Sequence, residues 1–99
     1  MVGPEQIEQF RQALECRENA TTSGDLNKYG YLATFYYNGQ SIGHARLSIK
    51  HASRQIEGID FYPFDFMPNL IGNGFGLVAF KHLMDYAARS WGVDVDYSV

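Results

Sequence analysis

Apolar and polar residues alternate with two different periods along this chain, and the changes of period mark its elements. Ile7, Phe10 and Leu14 recur at i, i+3 and i+7, the spacing of one apolar stripe on a helix. Pro4 suits a first helical position, and Glu5 and Glu8 suit the positive end of the helix dipole. The pattern predicts a helix over 4–19, fading near Asn19 into a loop at Thr21-Thr-Ser-Gly-Asp25. From residue 29 the period becomes two. Tyr29, Tyr31, Ala33, Phe35 and Tyr37 share one face of a predicted strand, and Gly30, Leu32, Thr34 and Tyr36 the other. Asn38-Gly39 follows, the strongest short hairpin signal. Residues 41–50 alternate again, with Ala45, Leu47 and Ile49 against His44, Arg46, Ser48 and Lys50. After a polar connection over 51–54, a third strand is expected over 55–64. Ile59 and Phe61 lie on one of its sides, Asp60 and Tyr62 on the other, and Pro63 closes it.

A helical period returns at 75–91. Phe80, Leu83, Ala87 and Trp91 form its inner stripe, with Met84 beside it. Lys81, Asp85 and Arg89 lie four apart on its outer face, and Gly92 is a natural C-cap. Val93-Asp-Val-Asp-Tyr97 alternates as a short last strand. The order α-β-β-β-α-β predicts an α+β fold: an antiparallel three-stranded meander plus a C-terminal strand, packed by two helices. Ala45, Leu47, Ile49, Ile59, Phe61, Phe80, Leu83 and Ala87 are the expected core.

Composition narrows the class. The 99 residues suit one domain, and 45% hydrophobic with 19% charged residues fits a globular protein. Aromatic residues reach 15%, more than a small fold buries, so an exposed aromatic contact surface and an oligomer built through it are open expectations. A net charge of −3 excludes a whole-domain basic footprint for nucleic acid. One cysteine, Cys16, excludes an intramolecular disulfide framework and a cysteine-rich zinc site. No apolar run is long enough to span a bilayer, and no leader pattern opens the chain, so a cytoplasmic location is expected.

The chemistry concentrates in Pro68-Asn-Leu-Ile-Gly-Asn-Gly-Phe-Gly76, where glycines alternate just before the second helix. Backbone N–H groups left unpaired at a helix start, together with the dipole, make a site for a phosphate or carboxylate. The plainer reading is a turn that needs residues tolerant of positive φ. If the loop is structural only, Asn69 or Asn73 caps the helix and Phe75 packs inward; if it serves a ligand, its amides stay open.

This part of the chain resembles the core of the GNAT superfamily of N-acetyltransferases. The likeness runs from Asn38-Gly-Gln-Ser-Ile-Gly-His-Ala-Arg-Leu47 through Ile56-Glu-Gly-Ile-Asp-Phe61 to the glycine loop, and closes with Leu83, Tyr86, Ala87 and Gly92-Val93. The resemblance implies that backbone groups of Gly72, Asn73, Gly74, Phe75 and Gly76 hold the pyrophosphate of acetyl-coenzyme A or another acyl-coenzyme A. It also implies that the last strand splays from the third near 59–62 to admit the pantetheine arm, and that an amine is the acceptor. Ile71 stands where the family carries Arg or Gln, and the chain given ends where family members continue with a helix and two strands. Asp60 and Glu57 are the carboxylates on the third strand and the candidate general bases. Tyr97, the only tyrosine after the helix, is a poor substitute for the family's tyrosine acid.

Three other patterns compete. His44, Arg46, Lys50, His51 and Arg54 could together attract an acidic partner or the coenzyme's 3′-phosphate. A Gly-His-Ala-x-Leu-Ser strand after Cys16 resembles small papain-like and NlpC-type thiol hydrolases, although Cys16 falls near a predicted helix end, where the dipole raises a thiol's pKa. Small size and an aromatic first strand also suit a non-catalytic interaction protein, an inhibitor or immunity-type module that binds another protein.

Overall fold

The computed structural model describes residues 3–25, 28–50 and 52–93. Along the chain run α1 (Pro4–Ala13), β1 (Leu14–Asp25), β2 (Lys28–Tyr37), β3 (Gln40–Lys50), β4 (Ile56–Tyr62), a 3-10 turn at Pro68–Leu70, and α2 (Phe75–Ser90). The four strands form one antiparallel sheet in the order β1-β2-β3-β4. The α+β class follows the sequence pattern, with a strand ahead of the three that the pattern predicts before the second helix. No helix among the described residues is long and apolar enough to cross a membrane.

The extra strand is β1. The apolar stripe predicts helix through Asn19, but the helix ends at Ala13 and Leu14 is already extended, with φ −82° and ψ 136°. Leu14 reaches the core in either conformation, so its spacing does not separate the two. The polar residues do. Arg17 donates from Nε and Nη2 to the two carboxylate oxygens of Glu15 at 2.8 and 2.9 Å, and its guanidinium lies 4.5 Å from the Tyr36 ring centroid. Residues two apart share a face on a strand and not on a helix. The predicted loop at Thr21–Asp25 is also strand, pairing Thr21 with Tyr31 and Thr22 with Gly30.

The remaining strands follow the predicted phases. Asn38 (φ 51°) and Gly39 (φ 81°) both take left-handed conformations, as a two-residue hairpin with Tyr37 opposite Gln40 requires. Ala33, Phe35, Ala45, Leu47 and Ile49 are buried on the face that carries both helices. Ile42 is an extra residue in β3 between the pairs Phe35–Gly43 and Tyr36–Ser41. Its carbonyl accepts the Phe66 N–H at 2.9 Å, which folds the segment after β4 back over β3. A Cβ on Gly43 would sit inside the contact radius of the Pro63 and Tyr62 carbonyl groups, so only glycine permits this crossing.

Helix α2 buries Phe75, Ala79, Leu83, Met84 and Ala87. Phe80, expected in the inner stripe, is half-buried with its ring edge-on to Phe61 at 5.7 Å. The helix leans toward β1, where the Glu18 N–H donates to Tyr86 Oη at 3.3 Å. The margin over β4 is therefore thinly covered. Ile59, expected in the core, faces inward by register with Leu47 but stays 37% exposed on this last strand. At the far end Gly92 (φ 65°) closes the helix, with the Trp91 and Val93 N–H groups both donating to the Ala87 carbonyl. Val93 is buried. The rest of the predicted last strand, and with it Tyr97 and the splay, lies outside the described residues.

Candidate functional site

After β4 the chain turns at Pro63, makes the Pro68–Leu70 turn, and reaches α2 through the glycine loop. Gly72 (φ 87°) and Gly74 (φ 79°) occupy left-handed backbone that other residues enter only with strain. The Asn73 amide donates to the carbonyls of Asn69 and Leu70 at 3.4 and 3.2 Å, so it ties the loop to the preceding turn and does not cap the helix. Gly74 is the N-cap residue, and no side chain caps the first turn of α2. Phe75 points inward, its ring stacked on Phe10 at 4.2 Å. A Cβ on Gly72 or Gly76 would meet open space, whereas one on Gly74 would touch Ile7 Cδ1 at 3.7 Å.

The loop thus joins both expectations. Phe75 anchors it from inside, as a structural turn requires. The first-turn amides of α2 lack a side-chain acceptor among the described residues, as an anion site requires. Beside it, between α1 and α2, runs a groove of about 400 Å³ lined by the apolar Ile7, Leu77 and Val78 and by Arg11, Lys81, His82 and Asp85. Arg11 also pairs with Glu8 at 2.6 Å. Burial holds the His82 imidazole below its ordinary pKa, and the positive charges of Arg11 and Arg89 push the same way against Asp85.

The candidate carboxylates stand elsewhere. Asp60 faces Arg46 across the β3–β4 ladder, on the sheet face turned away from the helices. Glu57 is the extra residue between the pairs Ser48–Gly58 and Ile49–Ile56, and its carboxylate lies 3.8 Å from Lys50 Nζ. Phe75 and Gly74 lie on the helix side, so the structure does not bring Asp60 or Glu57 together with the loop.

The basic cluster also separates. His44 packs against the Tyr62 and Phe66 rings at 5.5 and 5.9 Å. Lys50 pairs with Glu57, while Arg54 turns under the sheet to donate to the Trp91 carbonyl and to Tyr31 Oη. His51 lies outside the described residues. No group of three or more His, Cys, Asp or Glu among the described residues is arranged to hold a metal.

Cys16 pairs in register with the buried Phe35 on the helix-covered face, while His44 pairs with Thr34 and points to the other face. The sheet separates thiol from imidazole, so the thiol-hydrolase arrangement is absent. Burial raises the Cys16 pKa to about 12, with only partial relief from the Arg89 charge. A folded-state value above the unfolded one makes a contribution to stability that is complete below the unfolded pKa and is lost as pH rises toward 12. Aromatic disulfide reagents at pH 8 are therefore expected to label native Cys16 far more slowly than the urea-unfolded chain. Equal rates would show that the thiol is open.

Sequence reasoning passed over one feature. At the end of β4 a notch of about 220 Å³ lies among Phe61, Tyr62, Phe64, Asp65, Pro68 and Ile71. Tyr62, Phe66 and Ile71 are 52, 60 and 65% exposed at and around it. The clustered aromatic residues at 61–66 were the available signal, but periodicity assigns them to a strand and its exit.

Comparison with protein-family models, curated proteins and solved structures finds no match for this chain.

Proposed function

We propose that the amino end of α2 binds the pyrophosphate of an acyl-coenzyme A, and that this is a GNAT-like coenzyme-binding domain with weak or lost N-acyl transfer. One observation carries the reading. The helix starts at left-handed Gly74 with no side-chain cap, and the Phe75 ring is packed inward on Phe10. Such a turn offers N–H donors and the positive end of a 16-residue helix to an anion. In the adjoining groove Arg11 and Lys81, which stand there with Asp85, offer cations to the coenzyme's phosphorylated adenosine end. In a GNAT-like arrangement the pantetheine arm would enter beside β4. Asp60 and Glu57 face away from the loop, so an acceptor amine would lose its proton through water and not directly to either carboxylate.

The test is calorimetric titration with acetyl-coenzyme A of the native chain and of Gly76→Glu. Gly76 has regular helical backbone and open space around it. A glutamate there occupies the phosphate position with like charge, yet favours the helix dipole. Affinity is expected to fall at least about tenfold, one full charge repulsion of about 1.4 kcal/mol, while the melting temperature holds or rises. Gly74→Glu is a poorer probe because its left-handed φ adds strain. Unchanged affinity in Gly76→Glu would remove the coenzyme from this loop.

A second reading has its own observation. The exposed Tyr62, Phe66 and Ile71 form an apolar rim on one end of the molecule, as expected of a non-catalytic inhibitor or immunity-type protein that docks on a partner.

A further inference from the structure

The notch at the end of β4 combines three properties that the coenzyme reading does not use. Its wall is aromatic, with Phe61, Tyr62 and Phe64 contributing. It holds one charged side chain, Asp65, and no cationic one among the described residues. The Asp65 carboxylate makes no hydrogen bond or ion pair with another described residue, and Asp65 is exposed. Of its lining residues Tyr62 and Ile71 are each more than half exposed, and so is Phe66, whose ring packs with Tyr62 against His44.

We infer that this notch is a docking site for a protein partner that inserts a lysine or arginine side chain between the aromatic wall and Asp65. An aromatic wall attracts a cation, and a carboxylate with no partner among the described residues adds a direct charge partner. The long alkyl stem of a basic residue covers apolar surface while its head stays polar, which matches a notch lined by aromatic rings and one carboxylate. The exposed rim specifies a macromolecule. A free amine would leave Phe66 and Ile71 in water, whereas a protein surface around the inserted side chain buries them. The domain's net charge of −3 assists the approach of a basic partner.

The site is held in place by the fold. Phe64 is buried with its ring edge-on to Phe10 at 6.1 Å. The Phe66 N–H is fixed to the Ile42 carbonyl, so residues 63–66 cannot swing away without breaking the crossing over Gly43. The inference stands apart from coenzyme binding, and the two fail separately: one is read at Gly72–Gly76, the other at Tyr62, Asp65 and Ile71.

The test is a nitrogen-15 amide titration of the intact chain with three blocked amino acids: the N-acetyl methylamides of lysine, norleucine and glutamate. Lysine is expected to bind weakly, in the millimolar range, and to shift the amides of Tyr62, Asp65 and Ile71. Norleucine, which keeps the stem and lacks the ammonium, is expected to bind at least about fivefold more weakly, and glutamate not at all. Asp65→Asn is expected to bring lysine down to the norleucine level without disturbing the spectrum elsewhere. Ile71→Ser, at an exposed rim position, should weaken lysine and norleucine alike. Equal affinity for lysine and norleucine, or lysine shifts confined to other carboxylates such as Glu5 or Asp60, would overturn the inference.

Discussion

Phe10→Ala is expected to bring the protein to the edge of unfolding. Phe10 is 1% exposed and joins four parts of the chain. Its ring stacks on Phe75 of α2 at 4.2 Å, meets Tyr37 of β2 at 5.1 Å, and takes Phe64 from the segment after β4 edge-on at 6.1 Å. Truncating a fully buried phenylalanine costs about 3–5 kcal/mol in lost transfer energy and cavity. Domains of this size hold roughly 5–15 kcal/mol in all. In urea the midpoint should therefore fall steeply while the slope stays unchanged. The loss should also loosen the glycine loop, because Phe75 keeps its inward position against this ring. Phe10→Leu, which keeps most of the volume, should cost much less. A midpoint within the error of the native value would show that α1 does not dock where the structure places it.

Gly43→Ala should be the next most damaging small change. The added methyl would overlap the backbone of Tyr62 and Pro63, and backbone does not move aside as a flexible side chain does. Overpacking of this kind costs about 1–3 kcal/mol and occasionally more, and the upper end applies where main chain must shift. The internal control is Gly58→Ala on the adjacent strand. A Cβ there meets nothing within 4 Å, and although the position borders the Glu57 bulge its φ lies outside the left-handed region. That change should be neutral or stabilise by up to about 1 kcal/mol through the unfolded state. Equal effects at the two positions would mean that the segment after β4 does not cross β3 at Gly43.

The sequence made the strong alternations legible and missed the weak ones, for physical reasons. β2 and β3 were readable because they are central strands with one helix-covered face: in β3 Ala45, Leu47 and Ile49 alternate with His44, Arg46, Ser48 and Lys50, and in β2 the aromatic and β-branched content marks the strand. The Asn38-Gly39 turn and the Gly92 cap were readable because each needs φ above zero. β1 was hidden because an edge strand with mostly polar residues has no apolar period, and its first inward residue, Leu14, also fits the helical stripe before it. Ile59 and Phe80 misled because periodicity states which way a side chain points. It does not state whether anything covers it, and α2 leans toward β1 and away from β4.

For the candidate site, the glycines announced a left-handed loop before a helix, and the structure has that loop. The direction of Phe75 and the role of Asn73 came from tertiary packing alone. Asp60 and Glu57 were legible as carboxylates on a strand. Their separation from the loop depends on register and on the bulge at Glu57. Asp65 carried no local signal, because a lone aspartate in a turn is ordinarily a turn residue.

The measurement that tests the coenzyme proposal most directly is the amide spectrum of Gly72, Gly74 and Gly76 during addition of acetyl-coenzyme A, read alongside the calorimetric heat. The account predicts saturable micromolar binding, with the largest shifts in those three glycine amides and in Leu77, and with the affinity read from both effects at least about tenfold lower in Gly76→Glu. Absence of heat at millimolar coenzyme, or shifts that leave the glycine amides unmoved, would contradict it.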